Sequence, residues 1–529
     1  MEHRFSLFNP NASARQGAHP CSDPPLFGDA TVSIAAVIAP LLLQAAPVAV
    51  DPDTRAWWAL TTTLSSDAMD GRDVGSPGHE AAARLVAARL AKAGVQPLGE
   101  AGGWMQPVPM EEMAISRATI TAGGRPLRFL HDLYAAPGQV PAAIDYPLSY
   151  RGYCAPDMLG DVRGRIVLCH GSRRPGMPSP AERMEALRKA GAEGLITIAD
   201  PGFTVEPPRW PYAYARAIRL RGGSDVPASL PQMTLRAGAL ATVLAGSGRD
   251  AAALIAAGSA GRPLPAFDLT TNLSARFTLT QRSLGASNVL GILPGSDPAL
   301  ADQAIVLTAH LDGYGHGTPV DGDGLYNGTL DDAAYVALLV RLAERRGGTG
   351  FRRPIVFAIV TGEEKGLLGT RWFLDHPPIP RARMAANINL DQLRPIFPLK
   401  LLTVHAVDAT TLGDDARAVA AGMGIAVQSD PEPERNLLRR SDHWPFLQAG
   451  VPATSFVFGY RPGSESERIY RQWYVTGYHT PKDDPRQAID WQAAADFNRF
   501  FYTLVERVAD QPAAPAWKPS GRTQLGLTP

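Results

Sequence analysis

Several acids and histidines in this sequence stand directly after apolar runs. The runs "AIVLTAHLD", "IVFAIVTGEE" and "MAANINLD" end, in that order, in His310 and Asp312, in Glu363 and Glu364, and in Asp391. Two further polar stretches are "NGTLDDAAYVALL", with Asp331 and Asp332, and "RQWYVTGYHTPKDD", with His479. Adjacent carboxylates repel each other, and burying them without a partner is costly. We therefore expect that these acids either lie in solvated loops or are held by a positive group.

These residue types together indicate a divalent metal site. A histidine at a strand end, an acidic pair before a helix and a polar turn each have an ordinary structural explanation when taken singly. In open α/β sheets, however, ligands bind outside the carboxyl ends of the strands, and these groups are expected to meet there. Histidines combined with several carboxylates suit zinc above all. A site with two zinc ions also needs a bridging carboxylate and a base beside the attacking water.

The elements that carry these residues predict an α/β fold. Between about residues 274 and 508, strand-like runs such as "SNVLGILPG" and "PATSFVF" alternate with helical patterns such as "DDAAYVALLVRLAERR". This alternation favours a mixed, largely parallel sheet flanked by helices. An earlier segment, "HEAAARLVAARLAKAGVQPLG", has helical periodicity and is expected to end at Gly94.

A second region has a different pattern. From about residue 118 to residue 265, short apolar runs alternate with Gly/Pro turns, and one helical pattern, "SPAERMEALRKAGA", lies between two strand-like runs. We predict that residues 51–117 and 266–510 form the α/β domain and that residues 118–265 form an inserted, strand-rich domain. Residues 511–529 are expected to be a Pro-rich tail outside the core.

The N-terminal segment and the cysteines bear on location. Residues 1–50 are predicted to be a leader, because "ATVSIAAVIAPLLLQAAPVAV" is apolar and ends in small residues, as secretory signals do. This predicts export to the periplasm or the medium, with a cytoplasmic location as the alternative. No other stretch approaches a membrane span. Cys154 and Cys169 are expected either to form a disulfide in an exported protein or to remain buried thiols.

The composition argues against several other classes of protein. Lys+Arg and Asp+Glu both number 51, so the chain has no net charge that would favour nucleic acid as a partner. The sequence has no CxxC pair, which argues against a cysteine zinc site, and no GxSxG motif typical of many serine hydrolases.

The stretches "AHLDG", "NGTLDDAA", "TGEEKGLLGT", "NINLD" and "YHTPKDD" resemble the ordered signature of the co-catalytic zinc aminopeptidase and carboxypeptidase family. That family includes bacterial leucyl aminopeptidases, and glutamate carboxypeptidase II and the transferrin receptor are related to it. "GDVRGRIVLCHG" with "ALRKAGAEGLITIAD" resembles the protease-associated domain that many members insert. The resemblance covers roughly residues 54–508. It implies the zinc exopeptidase fold and two zinc ions per chain.

The resemblance also implies a role for each residue. His310 and Asp391 would bind one zinc ion, Glu364 and His479 the second, and Asp331 would bridge the two. Asp312 would orient His310, and Glu363 would be the general base that takes a proton from the attacking water. Tyr470, Tyr474 and Tyr478 are the candidates for a donor to the oxyanion, with no basis in the sequence for choosing among them.

The chain departs from the family pattern in one place. Asp332 and Tyr335 stand where the family usually has Asn and Gly, which leaves the bridging position uncertain by one residue and adds bulk to the first helical turn. His316, His405 and His443 are not expected to be ligands. "SDHWPF" resembles a family segment near the site, so Asp442 or His443 is a candidate for contact with substrate.

The implied function is that of a metal-dependent exopeptidase acting on peptides, in the first place an aminopeptidase. The alternatives are a dipeptidase or carboxypeptidase of the same fold, a glutaminyl cyclase-like acyltransferase, and a non-catalytic receptor-like relative. The sequence does not decide the substrate direction or the oligomeric state. A carboxypeptidase needs a basic group for the substrate carboxylate, for which the candidates are Arg439, Arg440, Arg461 and Arg468.

Overall fold

The structure is a computed structural model that describes residues 50–171, 176–202, 216–222, 230–392 and 394–528. The predicted leader, residues 1–50, lies outside these ranges except for its last residue. Among the described residues, no helix is both long enough and apolar enough to cross a membrane.

The helices surround a large sheet. In the described residues they are α1 (Pro52–Leu64), α2 (Pro77–Lys92), α3 (Pro180–Lys189), α4 (Leu240–Val243), α5 (Ala251–Ser259), α6 (Ala334–Arg346), α7 (Leu368–Asp375), α8 (Leu412–Gly422), α9 (His443–Gln448), α10 (Glu465–Thr476), α11 (Trp491–Asp510) and α12 (Gly521–Gln524). Helix α2 confirms the helix predicted before Gly94. The Ser76 hydroxyl accepts the N–H of His79 at its start, and Gly94 follows its end with a φ of 84°.

The strands form one large sheet and one hairpin. In the described residues they are β1 (Gln96–Pro97), β2 (Met105–Ala122), β3 (Arg125–Pro126), β4 (Leu133–Ala135), β5 (Ala143–Arg151), β6 (Ile166–His170), β7 (Gly194–Ile198), β8 (Arg216–Leu220), β9 (Gln232–Leu235), β10 (Ala266–Leu293), β11 (Ala304–His310), β12 (Gly315–Val320), β13 (Asp323–Tyr326), β14 (Ile355–Val360), β15 (Met384–Asn389), β16 (Leu401–His405), β17 (Ala426–Gln428) and β18 (Ala453–Phe458).

The central part of the sheet has the order β17-β16-β18-β15-β11-β14-β10. Strand β11 runs parallel to both β14 and β15, and β15 runs parallel to β18, whereas β10 and β16 each meet a neighbour antiparallel. Every residue of β11 and β14 is buried, as expected of parallel strands that are covered on both faces. The prediction of a mixed, largely parallel sheet flanked by helices is confirmed.

The register of the central strands brings the polar residues to one edge. His310 at the end of β11 lies beside Val360 at the end of β14, and Thr308 lies beside Asn389 at the end of β15. The acids of "TGEE" and "NLD" therefore leave neighbouring strands at the same height as His310. The carboxyl edge of the sheet is thus where the predicted site residues converge.

A long two-stranded ribbon joins this part of the molecule to the strand-rich region. Strands β2 and β10 pair antiparallel from Met105 and Val289 to Ala122 and Leu273. The predicted boundary at residue 118 falls inside β2, so the division into two domains stays a prediction. Beyond the ribbon, β5, β6, β7 and β9 run parallel around a separate apolar core.

The strand-rich region contains two features that bear on the sequence. Helix α3 fills the predicted position between β6 and β7 and begins with a capping box formed by Ser179 and Glu182. Cys154 and Cys169 are joined by a disulfide, which settles the two alternatives left by the sequence.

The C-terminal segment lies against the α/β region. The Trp517 indole donates to the carbonyl of Gly450 at 2.8 Å, and Leu525 and Leu527 pack on the apolar cluster that includes Val451. The segment that the sequence predicts as a tail is therefore partly packed rather than extended into solvent.

Candidate metal centre

His310 is presented by the end of a buried strand. Its Nδ1 donates to the backbone carbonyl of Asp312 at 3.0 Å, which leaves the lone pair of Nε2 directed to the other site residues. This Nε2 lies 3.2 Å from Asp331 Oδ1 and 3.8 Å from Asp391 Oδ1. One histidine and two carboxylates thus converge from β11, from the turn before α6 and from the end of β15.

A second group of donors lies on the other side of Asp331. His479 Nε2 is 3.1 Å from Asp331 Oδ2 and 3.2 Å from Glu364 Oε1. The two oxygens of the Asp331 carboxylate therefore face different histidines. Asp331 belongs to a π-helical turn, Thr329–Ala333, that leads directly into α6. The peptide bond between Asp331 and Asp332 is cis.

The donor atoms fit zinc by type and by arrangement. Two groups of three, His310–Asp331–Asp391 and Asp331–Glu364–His479, each have their ligand atoms within 4.8 Å of one another. Three buried oxygens, Asp331 Oδ2, Glu364 Oε1 and Asp391 Oδ1, have no hydrogen-bond partner among the described residues. Buried carboxylate oxygens without donors are costly unless a cation neutralises them. Imidazole nitrogen and carboxylate oxygen are ordinary zinc ligands.

Glu363 lies beside both groups without belonging to either of these two triads. One carboxylate oxygen of Glu363 lies within 4.8 Å of the ligand atoms of His310 and Glu364. The Glu363 side chain faces the cavity at this edge of the sheet. Burial and the neighbouring Asp391 carboxylate raise the pKa of Glu363 well above its usual value. A bound cation would oppose this direction and favour the ionised form. The pKa of Glu363 is therefore set by charge in the cavity as well as by burial.

Asp312 and Asp332 hold the backbone rather than facing the cavity. The Asp312 carboxylate accepts the backbone N–H of Glu363 at 3.1 Å and lies 3.8 Å from His310 Nδ1. The Asp332 carboxylate accepts the backbone N–H of His310 at 3.1 Å. Asp331, not Asp332, therefore lies between the two histidines. Tyr335 is fully buried, with its ring 5.5 Å from that of Phe497, so the core accommodates its bulk.

Two supporting residues were missed in the sequence. Asp483 accepts the backbone N–H groups of Leu330 and Asp331 at 2.9 and 3.1 Å, and it lies within the quoted "YHTPKDD". The buried Arg72 donates to the carbonyls of Leu64, Leu311, Asn327 and Gly328 at 2.7–2.8 Å. Burial raises the pKa of Asp483 to about 7. The doubled acid of "KDD" was a signal for Asp483, whereas nothing in the local sequence marks Arg72.

Tyr314 is a further residue that the sequence did not suggest. Its hydroxyl forms hydrogen bonds with Glu364 and, at 3.0 Å, with His479 Nδ1. Of the three tyrosines proposed from the sequence, Tyr478 lines the cavity, and its hydroxyl accepts from Gln392 Nε2 at 2.7 Å. The hydroxyls of Tyr470 and Tyr474 instead accept from Arg435 and Arg394, each at 3.0 Å.

The remaining candidates are scattered. His316 pairs with Asp70 at 2.6 Å on the surface, and none of the donor groups found among the described residues includes His316, His405 or His443. His405 lines the cavity, and its ring stacks 5.6 Å from that of His443. The Asp442 carboxylate accepts the hydroxyl of Thr370 at 2.6 Å, and burial raises the pKa of Asp442 to about 7.

Of the four arginines named from the sequence, Arg439 and Arg440 line the cavity, whereas Arg461 is exposed and Arg468 pairs with Glu465.

The fold is that of known zinc aminopeptidases. An aminopeptidase from Aneurinibacillus sp. strain AM-1 superposes with a TM-score of 0.60 at 18% identity, covering 89% of this chain and 96% of that one. The zinc aminopeptidase BSAP from Bacillus subtilis gives a TM-score of 0.58 at 19% identity, covering 88% and 97%. At these identities the likeness establishes the architecture.

The sequence comparisons find relatives of the α/β region. Residues 288–505 match the sequence model of peptidase family M28. The alkaline phosphatase isozyme conversion protein of Escherichia coli (strain K12) is 31% identical over 211 residues, covering 36% of this chain and 61% of that protein. Leupeptin-inactivating enzyme 1 of Streptomyces exfoliatus is 25% identical over 197 residues, covering 37% and 40%. The chain thus spans from about two-fifths to three-fifths of the length of these relatives.

Proposed function

We propose that this protein is a zinc-dependent exopeptidase that hydrolyses peptide bonds, and in the first place an aminopeptidase. The observation that carries the proposal is the position of the Asp331 carboxylate, with one oxygen 3.2 Å from His310 Nε2 and the other 3.1 Å from His479 Nε2. A carboxylate shared between two sets of nitrogen and oxygen donors is what a pair of zinc ions requires.

The residues divide into holding groups and a proton-transfer group. His310 and Asp391 would hold one zinc ion, Glu364 and His479 would hold the other, and Asp331 would contribute to both. When bound, zinc polarises the scissile carbonyl and lowers the pKa of water. Glu363 accepts the proton of the attacking water at a carboxylate oxygen and returns it to the leaving amine.

The surrounding side chains keep these groups in place. The Asp312 carboxylate fixes the backbone of Glu363, and the Asp312 carbonyl fixes the tautomer of His310. Tyr478 lines the cavity with a hydroxyl group and is the donor that we assign to the oxyanion. The two adjacent glutamates therefore differ in function, because Glu364 binds metal and Glu363 stays free to move a proton.

The test is metal removal and restoration on the purified protein. We expect about two zinc ions per chain by elemental analysis, hydrolysis of aminoacyl anilides, loss of that activity with a chelator, and recovery with zinc. N-blocked dipeptides assayed in parallel decide between an aminopeptidase and the carboxypeptidase alternative. Full hydrolysis by zinc-free protein would contradict the proposal.

We also propose that the protein is exported. The disulfide between Cys154 and Cys169 supports this, because disulfides persist in oxidising compartments and are rare in the cytosol. Fractionation of cells that express the full chain tests the proposal, with the protein expected outside the cytoplasm and Cys154 and Cys169 protected from alkylation. Recovery in the cytoplasm with both thiols reactive would overturn it.

A further inference from the structure

The cavity beside the metal centre has an uneven distribution of charge. It has a volume of about 360 Å³, and its lining includes Glu363, Glu364, Asp391 and His479. These groups belong to the metal centre and to proton transfer. The other fully charged side chains that line it are all arginines, namely Arg371, Arg394, Arg439 and Arg440. Once the metal ligands are neutralised, the rest of the cavity is strongly positive.

Arg394 is the arginine of this set that is buried. Only 1% of its surface is exposed, and its guanidinium carbon lies 4.5–5.2 Å from the ring centres of Tyr470, Trp473 and Tyr474. Its Nη2 donates to the side-chain oxygen of Gln392 and to the Tyr474 hydroxyl. Its Nε and Nη1 have no hydrogen-bond partner among the described residues.

No carboxylate of the described residues lies within ion-pair distance of Arg394. Three other buried arginines are compensated by carbonyl oxygens or by a carboxylate. Arg72 and Arg353 donate to rows of backbone carbonyls, and Arg435 pairs with Glu432 at 3.0 Å. A buried cation without an anion is costly, and its cost falls when a carboxylate arrives. Arg394 therefore has the features of a ligand-binding group rather than of a structural one.

We propose that Arg394 binds a carboxylate of the substrate, so that the preferred substrates carry a negative charge that reaches Arg394 in the cavity beside the metal centre. The proposal rests on the exopeptidase function proposed above. The carboxylate has two possible sources. One is the acidic side chain of an N-terminal aspartate or glutamate, and the other is the free α-carboxylate of a dipeptide. Arg439, Arg440 and Arg371 add positive potential to the same cavity.

The test compares charged substrates with neutral ones of the same shape. The first arm measures kcat/KM on glutamyl and glutaminyl anilides, and the second measures it on dipeptides with a free or an amidated C-terminus. We expect zinc-loaded protein to prefer the charged member in one arm, and that arm identifies the source of the carboxylate. Equal rates for charged and neutral members in both arms would overturn the proposal.

The Arg394→Gln variant separates binding from a structural role. We expect the preference for the charged substrate to fall roughly 10- to 100-fold, because that is what loss of a hydrogen bond to a charged group costs, while rates on the neutral substrate stay close to wild type. If Arg394 acted only by positioning Asp391, the variant would lower the rates on charged and neutral substrates equally, and that result would contradict the proposal. Arg353→Gln, which removes a buried arginine just before β14, and Arg461→Gln, which removes an exposed arginine that does not line the cavity, are the controls.

A binding measurement keeps the proposal separate from catalysis. Calorimetry with free glutamate and free glutamine compares two ligands that differ only in the side-chain charge. Tighter binding of glutamate that Arg394→Gln abolishes supports the proposal even if no anilide or peptide is hydrolysed, an outcome in which the exopeptidase function alone fails. If Arg394→Gln does not fold, Arg394→Lys and the substrate ratios of wild type still decide, because equal rates for charged and neutral members in both arms overturn the proposal.

Discussion

The proposed zinc ligands are supported in two different ways. His310, Glu364 and Asp391 stand at or just beyond the ends of β11, β14 and β15, whose pairing fixes their spacing. Asp331 and His479 instead lie in irregular segments, and His479 has a φ of 54°. Their positions depend on side chains that bond to the loop backbone. One half of the site, with His310, Glu364 and Asp391, is therefore built by the sheet, and the other half, with Asp331 and His479, by hydrogen bonds from distant residues.

The largest effect is expected from a change to Asp331, the proposed ligand common to both halves of the site. Changing Asp331→Asn removes the charge that faces both histidines. We expect zinc content to fall below two per chain and kcat/KM to drop by at least about 10³-fold, because several kcal/mol of transition-state stabilisation depend on the metal ions. Asp321→Asn, an exposed acid paired with Lys482, is the control. Retention of both zinc ions and of activity would show that Asp331 is not shared.

The second prediction concerns the loops that carry Asp331 and His479, the loop half of the site. Arg72→Met removes the guanidinium donor of four carbonyl oxygens, of which those of Leu311, Asn327 and Gly328 lie on segments that flank His310 and Asp331. We expect the free energy of unfolding to fall by about 3 kcal/mol or more. Denaturant titration of the metal-free protein measures this effect. Arg84→Met, which removes an exposed ion pair within α2, is expected to change stability little. Equal stability of the two variants would remove Arg72 from the account.

A third prediction concerns zinc affinity. Asp483→Asn keeps the shape of the side chain but replaces one acceptor of the Leu330 and Asp331 N–H groups with a donor. We expect zinc to bind about 10- to 100-fold more weakly, as is usual when a residue that orients a ligand is lost. Competition with a chromogenic chelator measures the change.

The neighbouring acid provides a matched control for Asp483. Asp484 bonds to Arg486 in its own turn and not to the loop that carries Asp331. Asp484→Asn is therefore expected to leave zinc affinity close to wild type. A comparable loss in both variants would mean that overall charge, not the loop contact, governs binding.

The smallest effect is expected in the part of the site that the sheet positions, the strand half, with His310, Glu364 and Asp391. Thr308 bonds to Asn387 and Asn389 within the sheet, and Thr308→Val removes both bonds. We expect the free energy of unfolding to fall by about 1 kcal/mol while zinc affinity stays within about threefold, because the strand pairing still positions His310 and Asp391. A loss of affinity as large as that of Asp483→Asn would erase the distinction between the two halves.

The strand half was also the part that the sequence predicted best. Apolar runs followed by His310, Glu363–Glu364 and Asp391 mark buried strands and their ends, because burial on both faces leaves a continuous apolar pattern. The parallel sheet follows from the alternation with helices, and the structure confirms both. The order of the motifs was enough to name the donor set, although the structure leaves the role of each residue a proposal.

The loop half was less predictable for a physical reason. Arg72 contacts Asn327 and Gly328 across more than 250 positions of the chain, and no local pattern encodes a contact of that length. The local sequence does not mark Tyr314 or Arg394 either, because tyrosine and arginine are also common at positions without such contacts. The long ribbon of β2 and β10 was missed as a unit, since its two strands are separated by the whole strand-rich region.

Glu363→Gln tests most directly whether the adjacent Glu363 and Glu364 have different functions, proton transfer and metal binding. The amide keeps the shape of the side chain but cannot accept the proton of the attacking water. We predict that the variant retains about two zinc ions per chain while kcat falls by about 10²–10⁴-fold on aminoacyl anilides. Wild-type activity, or loss of one zinc ion together with activity, would contradict the division between Glu363 and Glu364.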